Sequence, residues 1–184
     1  FNKLFPDSSL NSKNVVNLGV EAKRNSDTFE LLGKKGRYLC SGVGGPLTGK
    51  KVDIGIIDDP IKNAKEALSS TVKDGIWNWY LSTFLTRLSK NSGQIIMATS
   101  WAADDLAGRV IKAYPNAKVM RFPALNLPGE TGYDPDLPEG ALVPELHPAD
   151  KLMETKQVSS DYFWSAMYQQ RPKPIGGAIF KEEG

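Results

Sequence analysis

Cysteine and histidine are nearly missing from this sequence. Cys40 is the single cysteine, which excludes an intramolecular disulfide and a cysteine zinc cluster. It reads as a small core residue on a strand. His147 is the single histidine, in Leu-His-Pro, and reads as a loop residue rather than a ligand. No apolar run approaches the roughly 20 residues of a membrane-spanning helix, so no membrane partner is expected. No signal peptide is visible, because the N-terminus turns polar within a few residues. The net charge of +2 is too small to indicate a nucleic-acid partner by itself. No internal repeat is found. This cysteine usage fits a cytosolic compartment. The first residue is Phe1 rather than methionine, so the chain is expected to be a piece of a longer protein.

What is present is enough for one domain: 184 residues, 40% of them hydrophobic, can bury a real core. The organising stretch is Lys51-Val52-Asp53-Ile54-Gly55-Ile56-Ile57-Asp58-Asp59-Pro60. Its near-continuous β-branched run reads as a strand buried on both faces of a parallel α/β sheet. Pro60 cannot continue the ladder, so the strand stops there. Asp58 and Asp59 then stand at the carboxyl end of a central strand, where open α/β sheets bind ligands. An apolar strand ending in two acids has the form of a Walker B motif. Asp58 would hold the water shell of Mg²⁺, and Asp59 would orient or activate the water that attacks the γ-phosphate of ATP. The plainer reading is a strand followed by a polar Asp-Pro turn.

Around this strand the chain reads as follows. Residues 1–28 suggest loops with short strands. Residues 29–32 and 37–40 form a hairpin around Gly33-Lys34-Lys35-Gly36. After Pro60 comes a short helix at 62–68. A second helix at about 71–88 is capped by Ser69-Ser70-Thr71, with Ile76, Tyr80, Leu81, Phe84 and Leu88 as its apolar stripe. Trp77, Trp79 and Tyr80 suit core and flank packing better than base stacking. Lys90-Asn91-Ser92-Gly93 is a turn. Gln94-Ile95-Ile96-Met97-Ala98-Thr99-Ser100-Trp101 is a second buried strand. Strand, helix, strand makes a βαβ unit, so the two strands should be parallel neighbours or nearly so. Thr99 and Ser100 would then share an edge with Asp58 and Asp59, where a sensor of the γ-phosphate or its water would sit. The alternative is a strand end with a serine cap.

Asp104 and Asp105 open the next helix, to about Tyr114, and suit its dipole as caps. Residues 118–122 read as a third strand and 126–140 as an exposed loop. Pro148 suits the first position of a helix at 149–156. Ser159 or Ser160 caps a last helix at 161–170, with Tyr162, Phe163, Ala166 and Met167 inward. Arg171-Pro172-Lys173-Pro174-Ile175-Gly176-Gly177 breaks it as a linker.

Gly44 to Lys50 fits most of a phosphate-binding G-x-x-x-x-G-K loop. That loop needs a Ser or Thr after the lysine and a helix N-terminus behind it. Lys51 and a strand stand there instead, so a basic glycine loop is the better reading. Its N–H groups and Lys50 could still approach an anion.

Several separated stretches together resemble the large terminase subunit of tailed bacteriophages and prophages, the ATP-driven DNA-packaging motor. They are Phe5-Pro6-Asp7, Gly42-Val43-Gly44-Gly45 with Thr48-Gly49-Lys50, Ile56-Ile57-Asp58-Asp59-Pro60-Ile61-Lys62 and Trp77-Asn78-Trp79-Tyr80. They continue with Thr86-Arg87-Leu88, Ala98-Thr99-Ser100-Trp101, Asp104-Asp105-Leu106-Ala107-Gly108-Arg109 and Tyr168-Gln169-Gln170-Arg171-Pro172. The resemblance implies a three-layer α/β P-loop NTPase fold of the ASCE type with a mainly parallel central sheet. Residues 1–170 would be the later part of the ATPase domain and 171–184 a linker toward a nuclease domain. The Walker A part would precede this chain.

By the same resemblance Asp58 is the metal acid and Asp59 the catalytic carboxylate. Ala98-Thr99-Ser100-Trp101 is the motif coupling hydrolysis to movement. Lys50 stands where related glycine loops often carry arginine. In that coupling motif Ser100 replaces the usual arginine and Ala102 the usual histidine. The implied cofactors are Mg²⁺ and ATP. The implied partners are double-stranded DNA, the small terminase subunit, the portal protein and further copies in a ring, in the host bacterial cytoplasm. A DNA helicase or translocase core would share the acid-ended strand and the hydroxyl motif, but leaves 168–172 unexplained. A nuclease on Asp58 and Asp59 lacks further acids. A non-catalytic DNA-binding or scaffold module is the reading of another class.

Overall fold

The computed structural model describes residues 28–30, 36–45, 47, 49 and 51–173. The readings of residues 1–27, of Lys50 and of 174–184 lie outside the described residues. The chain divides into two compact units, Phe1–Pro46 and Leu47–Gly184.

In the first unit the expected hairpin is present. Strand β1 (Thr28–Glu30) pairs antiparallel with β2 (Arg37–Leu39), Phe29 facing Tyr38. Cys40 follows β2 and is exposed, not a core residue, because the strand has already ended. In the glycine loop Gly44 adopts φ +82°, a left-handed conformation open to glycine, and the Gly45 N–H donates to Gly42 O at 2.9 Å.

The second unit is a mixed α/β arrangement around a small parallel sheet. Strand β3 (Val52–Asp58) pairs in parallel with β4 (Leu88–Met97). Gly55 faces Gln94, Ile56 faces Ile95, Ile57 faces Ile96 and Asp58 faces Met97. The expected parallel adjacency is therefore present. The expected turn at 90–93 is instead part of β4. The partner of β3 jumps from Leu88 to Gly93 between Val52 and Ile54, so these residues form an irregularity within the strand. Ser92 Oγ donates to Ser89 O across it.

Burial on both faces does not occur. Gly55 and Ile57 point inward, while Ile54 is 69% and Ile56 54% exposed; across the ladder Ile95 is 50% and Met97 49% exposed. The run alternates as a one-sided sheet does, despite its uniform hydrophobicity. Gly55 is glycine for space: a Cβ there would lie 2.5 Å from Phe84 Cζ.

Between the strands run α1 (Ala64–Leu68) and α2 (Ser70–Trp79). Asn63 caps α1 by accepting from Glu66 N, and Ser69 caps α2 by accepting from Val72 N. The long helix expected to 88 changes pitch. After α2 comes a π turn at Tyr80–Phe84 and a 3₁₀ turn at Leu85–Arg87, and Leu88 already belongs to β4. The wider turn keeps Tyr80 and Phe84 in the core but leaves Leu81 exposed. Tyr80 is fully buried, stacked between Trp77 and Phe84, with its hydroxyl donating to Gln94 Oε1 at 2.9 Å. The aromatic cluster is core packing, as expected. Ile57, Ile61, Ala67, Ile76, Trp101, Leu106 and Val110 complete this core.

Helix α3 (Leu106–Ala113) follows. Residues 118–122 were expected as a strand. They form no ladder, and Val119, Met120 and Phe122 are exposed. A smaller core gathers Leu125, Leu152 and Trp164. Strands β5 (Leu125–Asn126) and β6 (Gly140–Ala141) pair antiparallel and close the expected loop between them. Asn126 is fully buried and holds that loop from inside. Its amide donates to Asp134 O, Leu137 O and Pro138 O, and its Oδ1 accepts from Asp134 N.

Helix α4 (Ala149–Val158) has Pro148 as its N-cap, one position before the expected one. His147 is an exposed loop residue, as expected. Helix α5 (Asp161–Phe163) is capped by Ser160 and passes into a π turn at Trp164–Tyr168. The inward set differs from the expected one. Trp164, Ser165 and Ala166 are buried, whereas Phe163 and Met167 are exposed. Trp164 stacks on Tyr168 at 5.1 Å, and its Nε1 donates to Glu130, which pairs with Lys156. Among the described residues no helix is long and apolar enough to cross a membrane.

Candidate functional site

The two parallel strands end together, and that sets the site. Asp58 is the last residue of β3 and is exposed at the sheet edge. Asp59 follows it with φ +39°, in the left-handed region that costs a non-glycine residue energy. Two bonds hold it there. Its N–H donates to Met97 O at 3.0 Å, extending the ladder by one rung. Its Oδ1 accepts from Thr99 N at 2.8 Å, tying the end of β3 to the chain leaving β4. One carboxylate oxygen is thus committed to the backbone, and Oδ2 has no bond among the described residues. Aspartate tolerates this backbone better than most side chains, because its short polar group bonds locally.

Thr99 and Ser100 stand half-buried beside these acids. The structure therefore brings Asp58, Asp59, Thr99 and Ser100 to one edge, as the sequence implied. Lys50 lies outside the described residues. A strand and not a helix follows Lys51, so the helix N-terminus that a phosphate-binding loop requires is not behind Gly44–Lys50.

Asp105 organises the far wall. It is the N-cap of α3 and is only 3% exposed. Its Oδ1 accepts from Gly108 N at 2.9 Å and its Oδ2 from Ala102 N at 3.3 Å. Burial pushes its pKa up, opposed by the N–H groups of Gly108, Ala102 and Ala107. Gly108 is needed for this turn, since a Cβ there would lie 2.1 Å from Ala103 O. The segment between β4 and α3 is thus pinned at both ends, by Asp59 at Thr99 and by Asp105 at Ala102. The Tyr162 hydroxyl holds its middle, donating to Trp101 O at 3.0 Å. Pro60, Ile61, Ala98, Thr99, Asp105, Leu106 and Ala107 line a shallow hollow at this edge.

Asp104 points elsewhere. It pairs with Lys73 of α2 at 2.6 Å, and that hydrogen bond, partly opposed by burial, lowers its pKa. Arg109 of α3 reaches back to Asp74 at 2.6 Å and lies 6.0 Å from the Trp77 ring centroid. These contacts dock α3 onto α2. The cap reading of the acid pair fits Asp105, while Asp104 serves as an ion-pair partner. Sequence reasoning did not find the pinning roles of Asp105 and Tyr162. The cap at Asp105 was legible, but its second bond, from the Ala102 N–H, was not, and Tyr162 acts across 61 positions.

Asp58 offers one carboxylate, with two hydroxyl residues nearby. Hard oxygen donors suit Mg²⁺, which keeps much of its water and takes only one or two protein carboxylates beside phosphate oxygens. Among the described residues no group of three or more His, Cys, Asp or Glu could hold a metal by itself. No protein-family model matches the chain, and no curated protein matches it.

Proposed function

We propose that the chain is the later part of the ATPase domain of a phage-type DNA-packaging motor, a terminase large subunit with a P-loop NTPase fold. One observation carries the reading. Two acids end one parallel strand, two hydroxyl residues follow its neighbour, and Asp59 binds the Thr99 N–H across the gap. The bare apolar face of Ile54, Ile56, Ile95 and Met97 also supports it, because parallel sheets of this class carry layers on both faces.

In this reading Asp58 would hold the Mg²⁺ that accompanies ATP. The metal supplies charge neutralisation at the phosphates. Asp59 is the base. Its Oδ1 is held by Thr99 N–H, which leaves Oδ2 to accept a hydrogen bond from the attacking water and orient it. The bond to Thr99 makes the segment 99–102 sensitive to the position of Asp59, which is the physical content of a coupling motif. Lys50 would approach the nucleotide from the glycine loop. Double-stranded DNA, the small terminase subunit, the portal and further copies in a ring are the partners this reading entails.

The test is made in the full-length protein. Asp59→Asn should leave Mg²⁺-ATP binding largely intact and abolish most phosphate release, while Asp58→Ala should weaken nucleotide binding. Normal turnover in Asp59→Asn would remove the base assignment.

A further inference from the structure

A group of cations lies away from the strand ends, where two distant segments meet. The Phe122 N–H donates to Gln170 Oε1 at 3.0 Å, and the Ala124 N–H donates to Tyr168 O at 2.6 Å. Gln170 is held at φ +52°, a left-handed conformation, and the Arg171 N–H donates to Ser165 O at 2.7 Å. These bonds set Arg121, which precedes Phe122, beside Arg171, which follows Gln170. Lys118 and Lys173 lie on the same two segments.

Neither guanidinium has a protein partner among the described residues, and that of Arg171 is in part shut off from water. The four ion pairs among the described residues are Lys73–Asp104, Arg109–Asp74, Lys151–Glu154 and Lys156–Glu130. Arg121 and Arg171 belong to none of them, and their side chains donate no hydrogen bond among the described residues. Arg171 packs its stem over Gly132, where an added Cβ would meet its Cγ at 3.2 Å, and its Nη1 is buried without a partner. Burial, and after it the charge of Arg121, push the Arg171 pKa down; Asp134 is the acid that opposes them. Asp134 lies outside ion-pair distance of either arginine and spends its Oδ1 on the Asp136 N–H. Two like charges held together, one partly buried and both unpaired, are unfavourable alone. They become favourable around a shared anion, which guanidinium forks bind in bidentate fashion.

We propose that Arg121 and Arg171 form a binding site for a phosphate oxyanion. The phosphate is either a free ion or one in the backbone of duplex DNA. The site is built from residues other than the strand-end acids, and its test requires no ATP turnover, so it stands or fails independently of the ATPase reading.

Two probes separate the sources: a short fluorescent DNA duplex followed by anisotropy at graded salt, and inorganic phosphate followed by the NMR signals of the arginine Nε–H groups. Arg121 is exposed, so Arg121→Gln should keep the fold, checked by its thermal melt. Lys151→Gln is the control for general charge loss. If the phosphate is in DNA, Arg121→Gln weakens duplex binding about tenfold and makes its salt slope shallower by about one, while Lys151→Gln changes neither. If it is a free ion, inorganic phosphate shifts the arginine signals of the parent chain, Arg121→Gln abolishes that shift, and duplex binding is unaffected. A folded Arg121→Gln variant that matches the parent with both probes overturns the proposal. So does a parent chain that responds to neither.

Discussion

At Asp59 the backbone itself is informative. The residue sits at φ +39° and spends Oδ1 on the Thr99 N–H. Asp59→Asn can keep both the conformation and the bond, since asparagine tolerates the left-handed region and has a carbonyl acceptor. Asp59→Ala loses the acceptor and keeps the strain, so it should cost about 1–3 kcal/mol in urea unfolding, with Asp59→Asn close to the parent. Equal losses in the two variants would show that the bond to Thr99 contributes nothing. At Gly108 the constraint is steric. Gly108→Ala drives a methyl against Ala103 O and should cost about 1–3 kcal/mol by the same measurement.

The entry of α3 makes two opposed predictions about pH. Asp104 has its pKa lowered, chiefly by the Lys73 hydrogen bond, so the pair stabilises the fold at neutral pH. That contribution is lost as pH falls through the lowered pKa, and Lys73→Met should cost stability near neutrality but little in acid. Asp105 has its pKa raised, chiefly by burial, so its charge opposes folding at neutral pH. Asp105→Asn removes that charge but turns an NH2 toward one of the two N–H groups the carboxylate accepts, so its melting temperature relative to the parent should fall as pH drops through the raised pKa and recover toward neutrality. Thermal melts across the acid range check both; parallel pH profiles for the two variants would contradict the assignment. In β3 the alternation is directly testable. Ile57→Ala should cost about 2–5 kcal/mol and Ile56→Ala less than about 1 kcal/mol, read from denaturant midpoints.

These elements also show what the sequence could carry. The strand ends were legible because a run closed by Asp-Asp-Pro, a long helix and a second run leave few topologies. Cover on one face of β3 was not legible, because an apolar run reads alike whether one face or both are covered. The π turn at Tyr80–Phe84 was hidden, since Tyr80 and Phe84 keep a helical spacing through it. Residues 118–122 have strand composition but pair with no strand among the described residues. Arg121 and Arg171 are 50 positions apart, and only the bonds between their segments, Phe122 to Gln170 and Ala124 to Tyr168, reveal their meeting.

For the whole molecule, the proposed ATPase would carry out hydrolysis at one place and cradle the phosphates at another. The strand ends supply acids and hydroxyls. They do not supply the run of backbone N–H groups, the lysine and the hydroxyl of a Walker A loop. Losing two or three charge-assisted hydrogen bonds, each about 1.5–3 kcal/mol, removes several powers of ten in affinity. Calorimetric titration of this chain alone with Mg²⁺-ATP should therefore show no tight binding. Micromolar affinity that disappears in Lys50→Ala would make the glycine loop at Gly44–Lys50 the real phosphate cradle. The central claim, that Asp59 is the base of a nucleotide hydrolase, is tested most directly in the full-length protein by measuring phosphate release and Mg²⁺-ATP affinity together for Asp59→Asn. The account predicts retained affinity with turnover reduced by orders of magnitude. Turnover equal to the parent, at equal affinity, would contradict it.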